Sequence, residues 1–171
     1  MLFRSLTCGF AGGLNPDLAP LALIFSDDAP PPIRAALERL GARAGKFHCA
    51  PRIAVTAEEK RALFRETHAD AVEMESAAIH AVCAEEKIPC VTLRVISDTA
   101  SEDLPLDFNR LTNAEQELDF AKLAWAVASS PGKIPALLRL QKRTAAAALT
   151  LAETLGRFLT AQAGGLGPGH R

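Results

Sequence analysis

The sequence predicts an α/β fold with a mainly parallel central sheet. Two observations carry this. Residues 69–74, 76–86 and 88–96 read as strand, helix and strand within about thirty residues, the span of a βαβ unit. The second of those strands, Ile-Pro-Cys-Val-Thr-Leu-Arg-Val-Ile, is almost continuously apolar and rich in β-branched residues, as a strand covered on both faces must be.

The remaining elements follow in order. Residues 6–10 and 21–25 are short strand candidates. Pro30 opens a helix whose Ile33, Ala36, Leu37 and Leu40 share one face, with Gly41 as its stop. A strand lies within residues 47–55. Thr56-Ala57-Glu58-Glu59 is a capping box, which starts a helix reaching about Arg65. Residues 99–107 are polar, contain Pro105 and read as a loop. Asn113-Ala114-Glu115-Gln116 caps a helix to about Ser129, Pro131-Gly132 breaks it, and residues 134–159 form one long Ala/Leu-rich helix. Residues 1–160 make one domain. Residues 161–171, with their glycines and proline, make a flexible tail.

Several function classes are excluded by composition. The 171 residues carry 19 Lys plus Arg against 20 Asp plus Glu, a net charge of −1, which argues against a nucleic-acid binder. Eight Phe, one Trp and no Tyr leave little for stacking bases on an aromatic platform. No apolar run is long enough to span a bilayer, and no leader-type cleavage site follows the start, so a cytoplasmic protein is expected. Cys8, Cys49, Cys83 and Cys90 form no C-x-x-C pair, and three lie in apolar runs, so buried reduced thiols are expected. His48-Cys49 lacks the paired spacing of a zinc site, and no metal is expected.

Acids stand at the ends of two strands: Glu73 and Glu75 after the first strand of the βαβ unit, Asp98 after the second. If those strands are neighbours, the groups face one crevice at the strand ends, where α/β sheets bind ligands. An ionised carboxylate accepts two hydrogen bonds from a vicinal diol, and a partly desolvated one can donate a proton. The same residues also admit structural roles. Glu75 or Ser76 could cap the following helix, and Glu73 or Glu75 could neutralise Arg94, a charge inside an apolar strand that must find a partner. His80 reads as a surface or packing residue, and Arg61, Arg65 and His68 as a solvated face. The basic cluster Arg139, Lys142 and Arg143 could face an anionic membrane, but packing of its long helix across the sheet is the stronger reading.

Three motifs carry a family resemblance. They are Gly9-Phe10-Ala11-Gly12-Gly13-Leu14, then Ala71-Val72-Glu73-Met74-Glu75-Ser76-Ala77-Ala78, then Leu93-Arg94-Val95-Ile96-Ser97-Asp98 after Ile88-Pro89. In order and spacing they resemble the nucleoside phosphorylase/nucleosidase family, which includes the purine nucleoside phosphorylases and methylthioadenosine/S-adenosylhomocysteine nucleosidase. Residues 130–140 are similar to the hopanoid-associated phosphorylase branch. The resemblance spans residues 7–159. It implies a three-layer α/β sandwich lacking the family's first strands, and cleavage or phosphorolysis of the N-glycosidic bond of a purine nucleoside or adenosyl compound.

The resemblance also implies roles. Asp98 would donate a proton to the leaving base and Ser97 would orient it. Glu75, with Glu73 beside it, would bind the ribose hydroxyls and Met74 would pack under the sugar. Backbone around Ala11 and Gly12 would approach the substrate, and residues 52–54 would make backbone contacts to the base. No cofactor is implied beyond phosphate as a co-substrate for a phosphorylase, and a homo-oligomer is expected. Two departures stand out. Phe10 occupies a position where many relatives carry Ser or Thr. The chain also starts almost at Gly9, where relatives have further strands with a phosphate loop or a water-activating acid. A non-catalytic, nucleoside-binding remnant of the fold is therefore the alternative.

Overall fold

The computed structural model describes residues 5–111 and 119–164. Its strands are β1 (Ser5–Gly13), β2 (Leu23–Ser26), β3 (Arg43–Gly45), β4 (Phe47–Cys49), β5 (Ala71–Glu73) and β6 (Cys90–Asp98). The helices are α1 (Pro31–Arg39), α2 (Ala57–Thr67), α3 (Ser76–Glu85), α4 (Phe120–Ser129) and α5 (Ile134–Gly164). The strands form one sheet in the order β3-β2-β6-β1-β5-β4. Pairings β1/β6, β2/β3 and β4/β5 are parallel, while β1/β5 and β2/β6 are antiparallel. The sheet is thus mainly parallel, as expected, but mixed.

The mixture corrects the βαβ reading. β1 lies between β5 and β6, parallel to one and antiparallel to the other, so β5 and β6 are neither neighbours nor parallel. An apolar pattern reports burial, not strand direction, and gives no warning of this.

Most elements form where local chemistry puts them. In α2 the Thr56 hydroxyl accepts from the Glu59 N–H at 3.1 Å and Glu59 returns a bond to the Thr56 N–H at 3.2 Å. A cap of this kind is worth about 1 kcal/mol. Gly41, at φ +86°, follows the end of α1, where a side chain would be strained. β2 starts at Leu23 and not at residue 21, because Leu21 takes a left-handed φ of 65°. β1 is longer than expected and runs on through Gly13. Asp119 caps α4 by accepting from the N–H groups of Ala121 and Lys122. The cap expected at Asn113 lies outside the described residues.

One face of the sheet carries the main core, in which Phe25, Val91, Leu93 and Val95 pack against Leu37 of α1 and Ala147, Leu151 and Phe158 of α5. α5 is therefore seated on the sheet. Among the described residues no helix is long and apolar enough to cross a membrane. Burial of the cysteines holds for Cys83 alone: Cys49 and Cys90 are half-buried and Cys8 is exposed, and all four are free thiols. Cys8 points off β1 where Thr7, its neighbour on the opposite face, is the buried residue.

Candidate active site

Register explains how acids on opposed strands meet. Gly12 of β1 stands opposite Asp98 of β6 and opposite Val72 of β5, so Glu73 falls beside Ala11 and Asp98 beside Gly12. Between Ala11 and Gly12 the β1/β6 ladder shifts by one residue and leaves Ser97 as the extra one. Such a bulge re-aims side chains. Here the Ser97 hydroxyl lies 2.7 Å from Asp98 Oδ1 and 3.3 Å from the Ala11 carbonyl oxygen. Gly12 sits in a crowded place. A Cβ there would come within 3.2 Å of Val72 Cγ1 and 3.3 Å of Asp98 Oδ2.

The strand ends open into a cleft of about 430 Å³. Its wall includes Phe10, Ala11, Gly12, Glu73, Met74, Glu75, Ser97 and Asp98, so every expected site residue lies in one place. Residues 52–54 line it too. So do Leu104, Phe108, Leu140 and Thr144, which have no motif in the sequence and arrive from the segment after β6 and from α5.

The two glutamates are not equivalent. The Glu73 side chain is fully buried. Its Oε2 receives Arg94 at 2.8 Å and the N–H groups of Ser76 and Glu75 at 2.8 and 3.1 Å, and its Oε1 receives the Ser76 hydroxyl at 2.6 Å. Burial pushes this carboxyl up, but the bonds from Ser76, Arg94 and the backbone outweigh it and hold it below the usual glutamate range. Glu73 therefore both neutralises Arg94 and caps α3, the task assigned in the sequence to Glu75 or Ser76. With no exposed side-chain surface, its carboxylate is committed to these contacts within the fold. The Glu75 side chain is 66% exposed, 3.5 Å from Arg94, and free to meet a ligand. Arg94 also donates to the Thr7 hydroxyl at 3.2 Å, yet among the described residues its Nε has no partner.

At Asp98 the sequence reading missed a residue. Lys60 of α2, with no exposed side-chain surface, forms an ion pair with Asp98 Oδ2. Lys60 sits among Glu58, Glu59 and Arg61 and looks like part of a solvated face. The available signal was spacing: Leu63 and Phe64 lie three and four residues on, so Lys60 shares their inward face. Arg61, Arg65 and His68 are exposed, as expected. His80 is half-buried, with Nε2 at 2.8 Å from the Thr92 hydroxyl, a packing role.

Two further placements bear on binding. Ile53, at the wall expected to touch the base, has its N–H and its carbonyl taken by the Asn109 amide, at 2.9 and 3.0 Å. In this conformation those groups are not open to a ligand. Arg143 of α5 pairs with Glu102 at 2.5 Å and so packs into the protein instead of facing outward. Among the described residues no group of three His, Cys, Asp or Glu is placed to hold a metal ion.

The fold and the clustered strand-end acids define an α/β protein with a candidate ligand cleft at its strand ends. The profile of the phosphorylase superfamily matches residues 31–129, and the chain belongs to that superfamily. Residues of this chain are 47% identical over 53 positions to an aminodeoxyfutalosine nucleosidase of Campylobacter jejuni, a match covering 30% of this chain and 23% of that protein. The Helicobacter pylori aminodeoxyfutalosine nucleosidase is 44% identical over 52 residues, 30% of this chain and 22% of that protein. The chain thus matches about a quarter of the length of these curated relatives. Among solved structures, the H. pylori 5′-methylthioadenosine/S-adenosyl homocysteine nucleosidase superposes with TM-score 0.61 at 20% identity, over 91% of this chain and 67% of that one. The S-adenosylhomocysteine nucleosidase of Streptococcus pyogenes gives 0.60 at 16% identity, over 90% and 66%. At these identities the superpositions establish the fold.

Proposed function

We propose that the chain cleaves the N-glycosidic bond of a purine nucleoside or adenosyl compound. The observation that carries this is the convergence of Asp98, Ser97 and exposed Glu75 around the Ala11–Gly12 backbone in one cleft. Asp98 protonates the purine as the bond to the sugar breaks. Glu75 accepts from the ribose hydroxyls. Met74, 36% exposed at the cleft, packs under the sugar. Protonating the leaving base lowers the barrier because the sugar develops oxocarbenium character. Glu73 acts indirectly by fixing Arg94 and the start of α3. The chemistry needs no cofactor, only water or phosphate as acceptor, and the names of the matched relatives favour water.

We take the protein to be cytoplasmic and a homo-oligomer. α4 exposes Phe120 and Trp125, apolar surface of the kind a second copy covers. Binding without turnover is the second reading, and Phe10 favours it: it lines the cleft, 41% exposed, where many relatives carry a hydroxyl.

The test is release of adenine from adenosine and 5′-methylthioadenosine, with and without phosphate, by wild type and Asp98→Asn. Release that Asp98→Asn abolishes supports the reading. Equal release by both proteins removes Asp98 from the mechanism. Dependence on phosphate assigns phosphorolysis, and independence assigns hydrolysis. Calorimetric binding of adenine with no release identifies the second reading.

A further inference from the structure

Lys60 is a costly residue for its place in α2. A buried ammonium is strongly unfavourable unless all its protons are bonded and its charge is met. Both conditions hold. Its Nζ contacts Asp98 Oδ2, the Thr99 carbonyl at 3.0 Å and the Glu102 carbonyl at 2.7 Å, which uses the three donors of an ammonium. The two carbonyls are themselves fixed, because the Glu102 carboxylate accepts the Thr99 N–H and hydroxyl, both at 2.9 Å, and pairs with Arg143. Asp98 is thus held at Oδ1 by Ser97 and at Oδ2 by a cation anchored to a braced turn.

We propose that Lys60 is the positioning residue for Asp98 and the preset counter-charge for the carboxylate that Asp98 becomes. The inference rests on the N-glycosidic reading above. In the step, the electron pair of the sugar–purine bond moves onto the purine, and the Asp98 carboxyl proton passes to a purine ring nitrogen. Asp98 is left as a carboxylate whose Oδ2 lies against Lys60 Nζ, the contact the structure holds. The water oxygen bonds to the anomeric carbon of the sugar, and the proton this water releases returns to Asp98 directly or through solvent. A cation already in place stabilises the forming charge without reorganisation, the condition under which electrostatic catalysis is strongest.

The experiment compares wild type, Lys60→Met, Asp98→Asn and the double variant on two substrates. One is 5′-methylthioadenosine, whose base must be protonated to leave. The other is a p-nitrophenyl riboside, whose leaving group departs unaided. Lys60→Met should lower kcat on the nucleoside by at least about 30-fold, within the range of general-acid contributions. Adenine binding should stay within about three-fold, and kcat on the p-nitrophenyl riboside should fall by less than about three-fold. The double variant should be no slower than Asp98→Asn, since Lys60 acts only through Asp98.

Wild-type kcat on the nucleoside in Lys60→Met, or an equal loss on both substrates, overturns the role. If Lys60→Met does not fold, Lys60→Gln is read by the same criteria, since its amide reaches Asp98 without the charge. No turnover by wild type on either substrate overturns the N-glycosidic reading and this role together. Turnover by wild type with unaffected Lys60 variants overturns this role alone.

Discussion

The Asn109 side chain closes on the peptide of Ile53 with both halves of its amide, accepting from the N–H at 2.9 Å and donating to the carbonyl at 3.0 Å. Adenine offers the same adjacent acceptor and donor on one edge. A base seated against Ile53 therefore competes with Asn109.

Asn109→Ala should bind adenine about three- to ten-fold more tightly than wild type, because a closed state that must first open reduces apparent affinity by its population. Isothermal titration of both proteins with adenine measures this. Weaker binding by the variant would mean that Asn109 supports the base instead of excluding it.

Arg94 and Glu73 form a buried ion pair beneath the cleft. Arg94→Met strands the Glu73 carboxylate without its cation and should destabilise the fold by about 3–5 kcal/mol. Adding Glu73→Gln to that variant should recover part of the loss, since the stranded charge is then gone. Urea unfolding of the three proteins reads both effects. A loss under about 1 kcal/mol in Arg94→Met would assign the stability of this region to its apolar contacts.

Glu102 gives the protein an acid-sensitive brace. Burial pushes its carboxyl up, but Arg143 and the Thr99 N–H and hydroxyl outweigh this and hold it at about 2, against an ordinary 4.5. The folded value is the depressed one, so the stability it confers is present above 4.5 and lost as pH falls from there toward 2. Glu73 is shifted in the same direction and adds to the same limb. Thermal midpoints measured down that range should fall less steeply in Glu102→Gln than in wild type. Parallel slopes would exclude Glu102 as a contributor.

Gly12→Ala places a methyl group 3.2 Å from Val72 Cγ1 and 3.3 Å from Asp98 Oδ2. Both neighbours must give by a few tenths of an ångström. Turnover should fall by ten-fold or more, on the order expected when a reacting group is displaced, while stability changes by about 1–2 kcal/mol. Adenine release and urea unfolding, run side by side, separate the two.

The candidate site was legible in the sequence where its residues sit on contiguous strand ends. Val-Glu-Met-Glu-Ser and Ile-Ser-Asp each put a charged group directly after an apolar run, and both groups reach the cleft. Division of labour between Glu73 and Glu75 was not legible, since it depends on which carboxylate lies under Arg94, a matter of three-dimensional register. Lys60 was hidden by charged neighbours that do face solvent. Leu104, Phe108, Leu140 and Thr144 come from segments with no pattern that marks a ligand wall. In the fold, helices with caps were readable from local chemistry. The three-residue β3 has no alternation to detect, and strand direction at β5 is decided by its pairing with β1.

The central place of β1 has a consequence for synthesis. Residues 5–13 are made before both of their sheet partners, β5 at residues 71–73 and β6 at 90–98. A growing chain therefore holds a Gly-rich strand with at least one edge unsatisfied until Asp98 has emerged, and this interval is where mispairing and chaperone capture would act. The Glu75 side of the cleft can be placed once β5 pairs with β1, but the cleft is complete only when β6 closes on the other edge of that strand.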